Sequence, residues 1–502
     1  MSYDELLAKI KDANLLRSTA SILSWDQECM MPPGGVEHRS LQMAQIAGLA
    51  HQRFTDPRIG ELLAECEADD ELTSDPASEQ AAVLRELRRG YDRSTKLPAD
   101  LVQEAARTRS IAHHHWQQAR EESDFDKFRP WLEKNIDLAR RVAEAYGWAD
   151  GEEPWDALAE GYEPGMRARQ IEGVFTPLRD RLQNLIADLT SGPRRPSTRF
   201  LEIAVPTGEQ RAFVPQIAEQ MGFDFERGRI DISVHPFCSG TNPGDVRITT
   251  RFRDDAFADA LTATMHEAGH GLYEQGLLPE HTGTPLGRAA SLGIHESQSR
   301  MWENFVGRSL PFWEWCMPRV RDAFGSAFDD VTPQDAYEAV NTVSPDFIRV
   351  EADEATYNMH IMVRFELERL MMSGELVAAD LPDEWNRRYK EYLGVDVPND
   401  RVGCLQDTHW SGASFGYFPT YTLGNLYAAQ FFEKILEDVP GLHEEFARGD
   451  LSSLKSWLNE NIHKHGGRYQ PADLCERVTG KALSADPLLR HLERKLRPLY
   501  GV

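Results

Sequence analysis

Residues 264–276 read TMHEAGHGLYEQG, and how that stretch is read decides the fold. On a helix, positions i and i+4 lie one turn apart on the same face, so His266 and His270 can present two imidazoles to one point. Glu267 sits one residue round, where it can reach a water held at that point instead of the point itself. Met265, Ala268 and Gly269 are apolar or small, which suits a helix packed inside the protein. The stretch is either half of a metal site with its own base or a solvated helix face carrying two histidines.

The residues that follow bear on that choice. Zinc needs at least one further protein ligand, and an open position if it is catalytic. In the gluzincin pattern that ligand is a glutamate from the next helix. Here GLLPEHTGTPLGR (276–288) can turn the chain back, and SLGIHESQSRMWENF (291–305) offers Glu296, 26 residues past His270. Glu303 competes as third ligand; the other reading for it is a helical glutamate facing solvent. His295 reads as a neighbour that supports a ligand. His281 belongs to the loop, and the triplet His113, His114, His115 to the surface. Zinc would lower the pKa of its water toward ~7 and polarise a carbonyl. Glu267 would take the water's proton and pass it to a departing amine. Those parts make an amide hydrolase without saying which amide.

Outward from this stretch the chain keeps a helical rhythm. Apolar residues recur at three- and four-residue spacing over 1–24, 36–53, 79–90, 98–122, 130–147, 167–192, 209–221, 255–276, 288–305, 311–324, 333–343, 352–373, 421–436 and 451–463. The Pro and Gly clusters MMPPGG (30–35) and SGPRRPS (191–197) are too short to be flexible linkers. A mainly α fold in one continuous body, 1–502, is expected. One region departs from the rhythm: TRFLEIAVP (198–206), GRIDISVHPF (228–237) and DVRITTRF (245–252) are β-branched runs. With CSGTNPG (238–244) as the loop between the last two, they predict a small antiparallel sheet beside the histidine helix. Its edge could take an extended peptide by strand addition.

Composition narrows the partners. Of 502 residues 41% are hydrophobic, and 81 acidic side chains outweigh 55 Lys and Arg to give a formal charge of −26. That surface repels phosphate backbones and anionic lipid, so neither nucleic acid nor membrane is an expected partner. The six cysteines form no C-x-x-C and read as reduced thiols. MSYDELLAKIKDANLLRST (1–19) reads as an amphipathic helix without a signal peptide's apolar centre. A cytoplasmic location is expected.

Four further stretches concentrate residues that are costly to bury idly: SVHPFCSG (233–240), DVRIT (245–249), IRVEAD (348–353) and GCLQDTHWSGASFGYFPTYTLGN (403–425). HPF (235–237), DVRIT (245–249), His266–His270, His295–Gln298 and IRVEAD (348–353) resemble, in order, the five signatures of the carboxypeptidase Taq family of metallocarboxypeptidases, and the DTHW to FPTYTLGN part of the stretch 403–425 resembles the family as well. SWDQECMMPPGG (24–35) resembles the family too, so the likeness covers nearly the whole chain. The resemblance implies a two-lobed helical fold around a deep groove, as in other gluzincins. It also implies removal of C-terminal residues from peptides, zinc or in some members cobalt, and a homodimer. The alternatives are an oligoendopeptidase of the same chemistry and an inactive peptide-binding homologue.

Physics and resemblance together nominate the remaining residues. A free C-terminal carboxylate is best held by a fork-shaped arginine. Arg349 is the first choice and Arg247 the second; either could instead serve a structural ion pair, Arg247 with Asp245. Glu351 and Asp353 read as partners of the zinc-binding imidazoles or as core network. Related gluzincins set a His and a Tyr across from zinc, which implies Tyr421 as oxyanion donor assisted by His409. Tyr417 would touch the terminal carboxylate, and His235 either lines the groove or only shapes the sheet's exit. For each tyrosine the alternative is an aromatic core residue with its polar tip satisfied.

Overall fold

Two glycines set how closely other elements approach the histidine helix. In the computed structural model, which describes residues 2–502, that helix runs Phe257–Gly276. Gly269 and Gly271 are two residues, hence about 200°, apart on it and face opposite sides. A Cβ on Gly269 would lie 2.7 Å from the Gln298 carbonyl oxygen and 2.7 Å from Ser299 Cα. A Cβ on Gly271 would lie 2.7 Å from the Phe223 ring and 3.1 Å from Ile248. On one side, therefore, the helix touches the backbone of the helix Leu292–Arg300, and on the other the small sheet.

The helix Leu292–Arg300 begins where the Ser291 hydroxyl accepts the Ile294 N–H at 3.0 Å. The expected uninterrupted helix over 288–305 is corrected in two respects: residues 288–291 lie outside it, and Met301–Gly307 is a π-helical segment. Glu303 lies on it and is buried, not turned to solvent. Arg300 donates to both carboxylates, so Glu303 faces the same side as Glu296.

The sheet is mixed, and the antiparallel expectation is corrected here. β1 (Gly228–Ile232) pairs parallel with β3 (Asp245–Thr250), while β2 (Cys238–Asn242) pairs antiparallel with β3, in the order β1-β3-β2. The residues read as a loop, CSGTNPG, are mostly β2. Only its end turns, where Asn242 Oδ1 accepts the Gly244 N–H at 2.8 Å. The chain reverses twice between β1 and β3, and two reversals restore the direction. Residues 198–206 form no strand: Arg199–Glu202 is a 3-10 turn, and Val205 N–H donates to the Asp254 carbonyl. Val246 and Ile248 on β3 are fully buried.

The chain divides into two compact units. The first comprises Met1–Thr95, Ser197–Val340 and Phe431–Lys481, and holds the histidine helix and the sheet. Its N-terminal helix, Ser2–Cys29, buries Leu6, Ile10 and Ala13 with Phe54, Ile59, Leu62, Leu84 and Leu286. The second comprises Lys96–Pro196, Asn341–Gln430 and Ala482–Val502. Its core holds Trp155, Trp385, Tyr389 and Phe365, with Trp385 stacked on Tyr389 at 5.0 Å. The buried Glu368 carboxylate there accepts from Trp155 Nε1, Trp410 Nε1 and the Gly416 N–H. The helix Leu381–Leu393 is absent from the periodicity reading, because Lys, Arg and Glu dilute its apolar stripe. All six cysteines are free, and among the described residues no helix is long and apolar enough to cross a membrane.

The crossing at Gly269 is open to test. Ala in place of Gly inside a helix ordinarily gains about 0.5–1 kcal/mol. Here the Cβ meets backbone, which cannot swing aside, and overpacking costs about 1–3 kcal/mol. Gly269→Ala should therefore be net destabilising in urea unfolding, and by shifting the neighbouring helix it should also lower metal retention after dialysis.

Candidate metal centre

His266, His270 and Glu296 converge. The Nε2 atoms of His266 and His270 lie 3.7 and 3.4 Å from Glu296 Oε2. The imidazole planes stand at 82° with centroids 4.9 Å apart. A tetrahedral site with metal–ligand bonds near 2.0–2.1 Å spaces its donor atoms by about 3.3 Å, which these separations approach. Three lone pairs facing one another repel unless a cation sits between them, so the donor set fits a divalent metal such as zinc. Among the described residues this is the group of three that could hold a metal ion.

Each imidazole is held from behind through its other nitrogen. His266 Nδ1 and Glu303 Oε2 are 2.8 Å apart, and His270 Nδ1 lies 3.1 Å from the His295 carbonyl oxygen. With Nδ1–H donating in both, the Nε2 lone pairs are left to the metal. His295 also stacks on His270 at 4.4 Å, and its own Nε2 pairs with Glu274 at 2.9 Å. Arg300 ties the two glutamates together: its Nε donates to Glu296 Oε1 at 2.7 Å and its Nη1 to Glu303 Oε2 at 3.1 Å. Arg308 adds a contact to Glu303 at 3.3 Å.

The charges follow from this packing. Burial opposes ionisation of Glu296 and Glu303, but Arg300 and the histidines overcome it and hold both carboxyls well below the ordinary range. Burial pushes His270 down to about 3, which keeps it a neutral ligand. For His266 burial works downward, yet Glu296 and Glu303 raise it on balance. Glu267 is only 6% exposed, and among the described residues its carboxylate takes no hydrogen bond. Burial raises its pKa to about 7, opposed by His266. A carboxyl balanced near neutrality beside two imidazoles can both take and give a proton.

The other nominated residues fall into two groups. In the first unit, Arg247 makes a two-pronged pair with Asp245 at 2.8 and 2.9 Å and lies over the Trp25 ring at 4.3 Å. His235 is exposed at the turn after β1, where its carbonyl accepts the Ser233 hydroxyl. In the second unit, Arg349 is buried. Its Nε and Nη2 both donate to Asp407 Oδ1, at 2.9 and 2.8 Å, and its Nη1 to the Tyr357 hydroxyl at 3.2 Å. Arg364 takes the other Asp407 oxygen at 2.6 Å. His409 Nε2 lies 3.2 Å from the Tyr421 hydroxyl, and burial pulls its pKa down to about 4, so it is neutral near pH 7. Tyr417 packs 5.3 Å from both the Tyr421 and the His409 rings.

Asp353 is not engaged with an imidazole. Its carboxylate accepts the N–H groups of Ser344, Ala355 and Thr356, while Glu351 is exposed. The partners of the metal-facing rings are Glu303 and the His295 backbone. Three functional residues escaped the sequence reading. Arg300, four residues past Glu296 on one helix, carried an i,i+4 signal that could have found it. Asp407 and Glu274 carried none, since their partners are distant in sequence.

A helical protein with this donor set is of the metallopeptidase class. The sequence model of the family described as carboxypeptidase Taq (M32) metallopeptidase matches residues 5–496. The chain is 47% identical to thermostable carboxypeptidase 1 of Thermus thermophilus over 507 residues, covering 100% of this chain and 99% of that one. It is 36% identical to carboxypeptidase 1 of Bacillus subtilis, over 99% of this chain and 98% of the relative. The crystal structure of M32 carboxypeptidase from Deinococcus radiodurans R1 superposes with a TM-score of 0.96, at 40% identity and over 100% of both chains. The chain belongs to the carboxypeptidase Taq family. Its activity class is that of a metallocarboxypeptidase, a hydrolase of peptides.

The role of Glu303 can be isolated. Partners that orient a ligand typically carry 10–100-fold in metal affinity. Glu303→Gln keeps the shape but not the charge, so metal affinity measured by chelator competition should fall about 10–100-fold. An unchanged affinity would show that His266 needs no anchor.

Proposed function

We propose that this protein is a zinc carboxypeptidase acting on peptides with a free C-terminus, and that residues 1–502 work as one peptidase domain. The observation that carries the reading is the convergence of His266, His270 and Glu296 beside the buried, unpaired Glu267. The family match over residues 5–496 supports the single domain. Zinc suits two imidazoles and a carboxylate, with cobalt a substitute of similar preference. When bound, the metal would make a water acidic enough to attack near neutral pH and would polarise the scissile carbonyl.

The chain's own residues would do the rest. Glu267 takes the proton of the attacking water and passes it to the departing amine. Tyr421 is proposed as the donor to the oxyanion, with His409 as its hydrogen-bonded partner; the 3.2 Å contact between them and the neutral His409 support the pairing. Arg247, Arg349, Tyr417 and His235 are the proposed substrate-binding set. Of the two arginines, Arg247 is better suited to hold the terminal carboxylate. It is half-buried, and its Nη1 takes no partner among the described residues, whereas Arg349 already spends its nitrogens on Asp407 and Tyr357. A cytoplasmic location and a homodimer complete the proposal; reduced cysteines support the first, the family resemblance the second.

Two experiments test it. A peptide with a free C-terminus and its C-amidated twin are incubated with the enzyme and followed by mass spectrometry. The free acid should lose residues one at a time while the amide persists; equal internal cleavage of both would establish an endopeptidase instead. In the second, Glu267→Gln should keep its full metal content by elemental analysis while turnover drops by about two to four orders of magnitude. His266→Ala should lose metal and turnover together.

A further inference from the structure

One pair of cations in the first unit has no acid to neutralise it. Arg288 lies in the connection between the histidine helix and the Glu296 helix, and Arg17 lies on the N-terminal helix Ser2–Cys29. Both guanidinium groups donate to a single oxygen, Asn14 Oδ1: Arg288 Nη2 at 2.5 Å and Arg17 Nη1 at 3.1 Å. Asn14 is itself buried and locked in place, its amide donating to the Gly283 carbonyl at 2.6 Å. Arg17 is also stacked over the Phe54 ring, 4.3 Å from the centroid. Among the described residues neither arginine forms an ion pair with a carboxylate. Arg247, Arg300 and Arg369 of the same acidic chain, by contrast, each pair with a carboxylate.

Two like charges drawn to one neutral oxygen repel, and their remaining N–H donors take no partner among the described residues. Arg288 is exposed, so a ligand can reach its side chain from solvent, while the protein around it lowers its pKa. Burial and the neighbouring Arg288 pull Arg17 down to about 10. The acid whose field reaches Arg288 is Glu274, and that carboxylate is already taken by His295, the residue stacked on the metal-facing His270. Glu274 in turn holds His295 beside His270.

We propose that Arg17 and Arg288 form a carboxylate-binding site for an acidic side chain of the peptide substrate. The inference rests on the carboxypeptidase reading for the nature of the ligand. Guanidinium forks match carboxylate geometry and make charge-assisted hydrogen bonds. On a surface whose net charge of −26 repels acidic peptides, such a pair supplies local attraction where the surface as a whole supplies none.

The test uses neutral pentapeptides with a free C-terminus in which Gln is replaced by Glu one position at a time. Turnover is measured on the wild type, Arg288→Gln and Arg17→Gln at low and high salt. The same peptides are titrated calorimetrically onto Glu267→Gln, so that binding is read independently of turnover. The expected result is that Glu at one position raises kcat/KM and affinity about tenfold over Gln. The advantage should shrink with salt and vanish in both arginine variants, whose activity on the all-Gln peptide stays unchanged. Equal handling of Glu and Gln peptides by the wild type would overturn the site. If Arg288→Gln weakened all free-acid peptides equally, the pair would hold the terminal carboxylate and the side-chain assignment would fall. Inorganic phosphate that raises the melting temperature of the wild type but not of Arg288→Gln, with no Glu preference, would likewise assign the arginine pair to a free anion. A calorimetric Glu preference without any peptide cleavage would overturn the carboxypeptidase reading and leave the arginine site standing.

Discussion

The backbone contact between the histidine helix and the helix that carries Glu296 is the constraint on which the metal centre depends. Two helices normally pack with their axes 8–10 Å apart, held off by side chains. At Gly269 there is none, and the Gln298 carbonyl oxygen and Ser299 Cα lie 2.7 Å from where a Cβ would sit, closer than a real Cβ would allow. That approach lets the short Glu296 side chain reach the space between two imidazoles. Gly271 repeats the arrangement on the opposite face, against Phe223 and Ile248. The histidine helix is therefore clamped from both sides at the level of the two histidines.

Electrostatics builds on the same contact. Burying Glu296 and Glu303 together would be prohibitive without compensation, since each desolvated carboxylate costs several kcal/mol. Arg300 bridges them, Arg308 adds a second cation to Glu303, and the two histidines face them. Glu267, one residue from a ligand, is left out of that network, and its proton is correspondingly loosely assigned. The difference between a ligand and a base thus comes from partners: the same residue type is ionised where arginine reaches it and poised near neutrality where none does.

The second unit is organised by Asp407. Two arginines converge on it from different elements, Arg349 from the IRVEAD turn and Arg364 from the helix Tyr357–Ser373. Both lie against aromatic rings: Arg349 over Tyr421 at 5.0 Å and Arg364 over Trp385 at 4.5 Å. Truncating one partner of such a buried group typically costs 3–5 kcal/mol, because the remaining charge is stranded. Arg349, which in sequence looks like a free fork, is in the fold bound to Asp407 and lies over the Tyr421 ring.

How much was legible beforehand divides by distance along the chain. The helical rhythm, the i,i+4 histidines with their glutamate, and the glutamate one helix later are all short-range patterns that the sequence states directly. Periodicity also placed β1 and β3, yet it misread β2 as a loop, because Cys, Ser, Gly, Thr and Asn have little strand preference of their own and become a strand only by pairing with β3. The inward turn of Glu303 was missed for the same kind of reason: a charged helical residue is ordinarily solvated, and only Arg300, Arg308 and His266 together reverse that. By itself, then, the sequence determined a helical metallopeptidase and singled out His266, His270, Glu296 and Glu267 as the proposed donors and base. Which glutamate holds an imidazole, which aspartate claims Arg349, and which arginines stay unpaired were decided by tertiary packing alone. Those outcomes depend on charges meeting across tens to hundreds of residues, where no local spacing records the encounter.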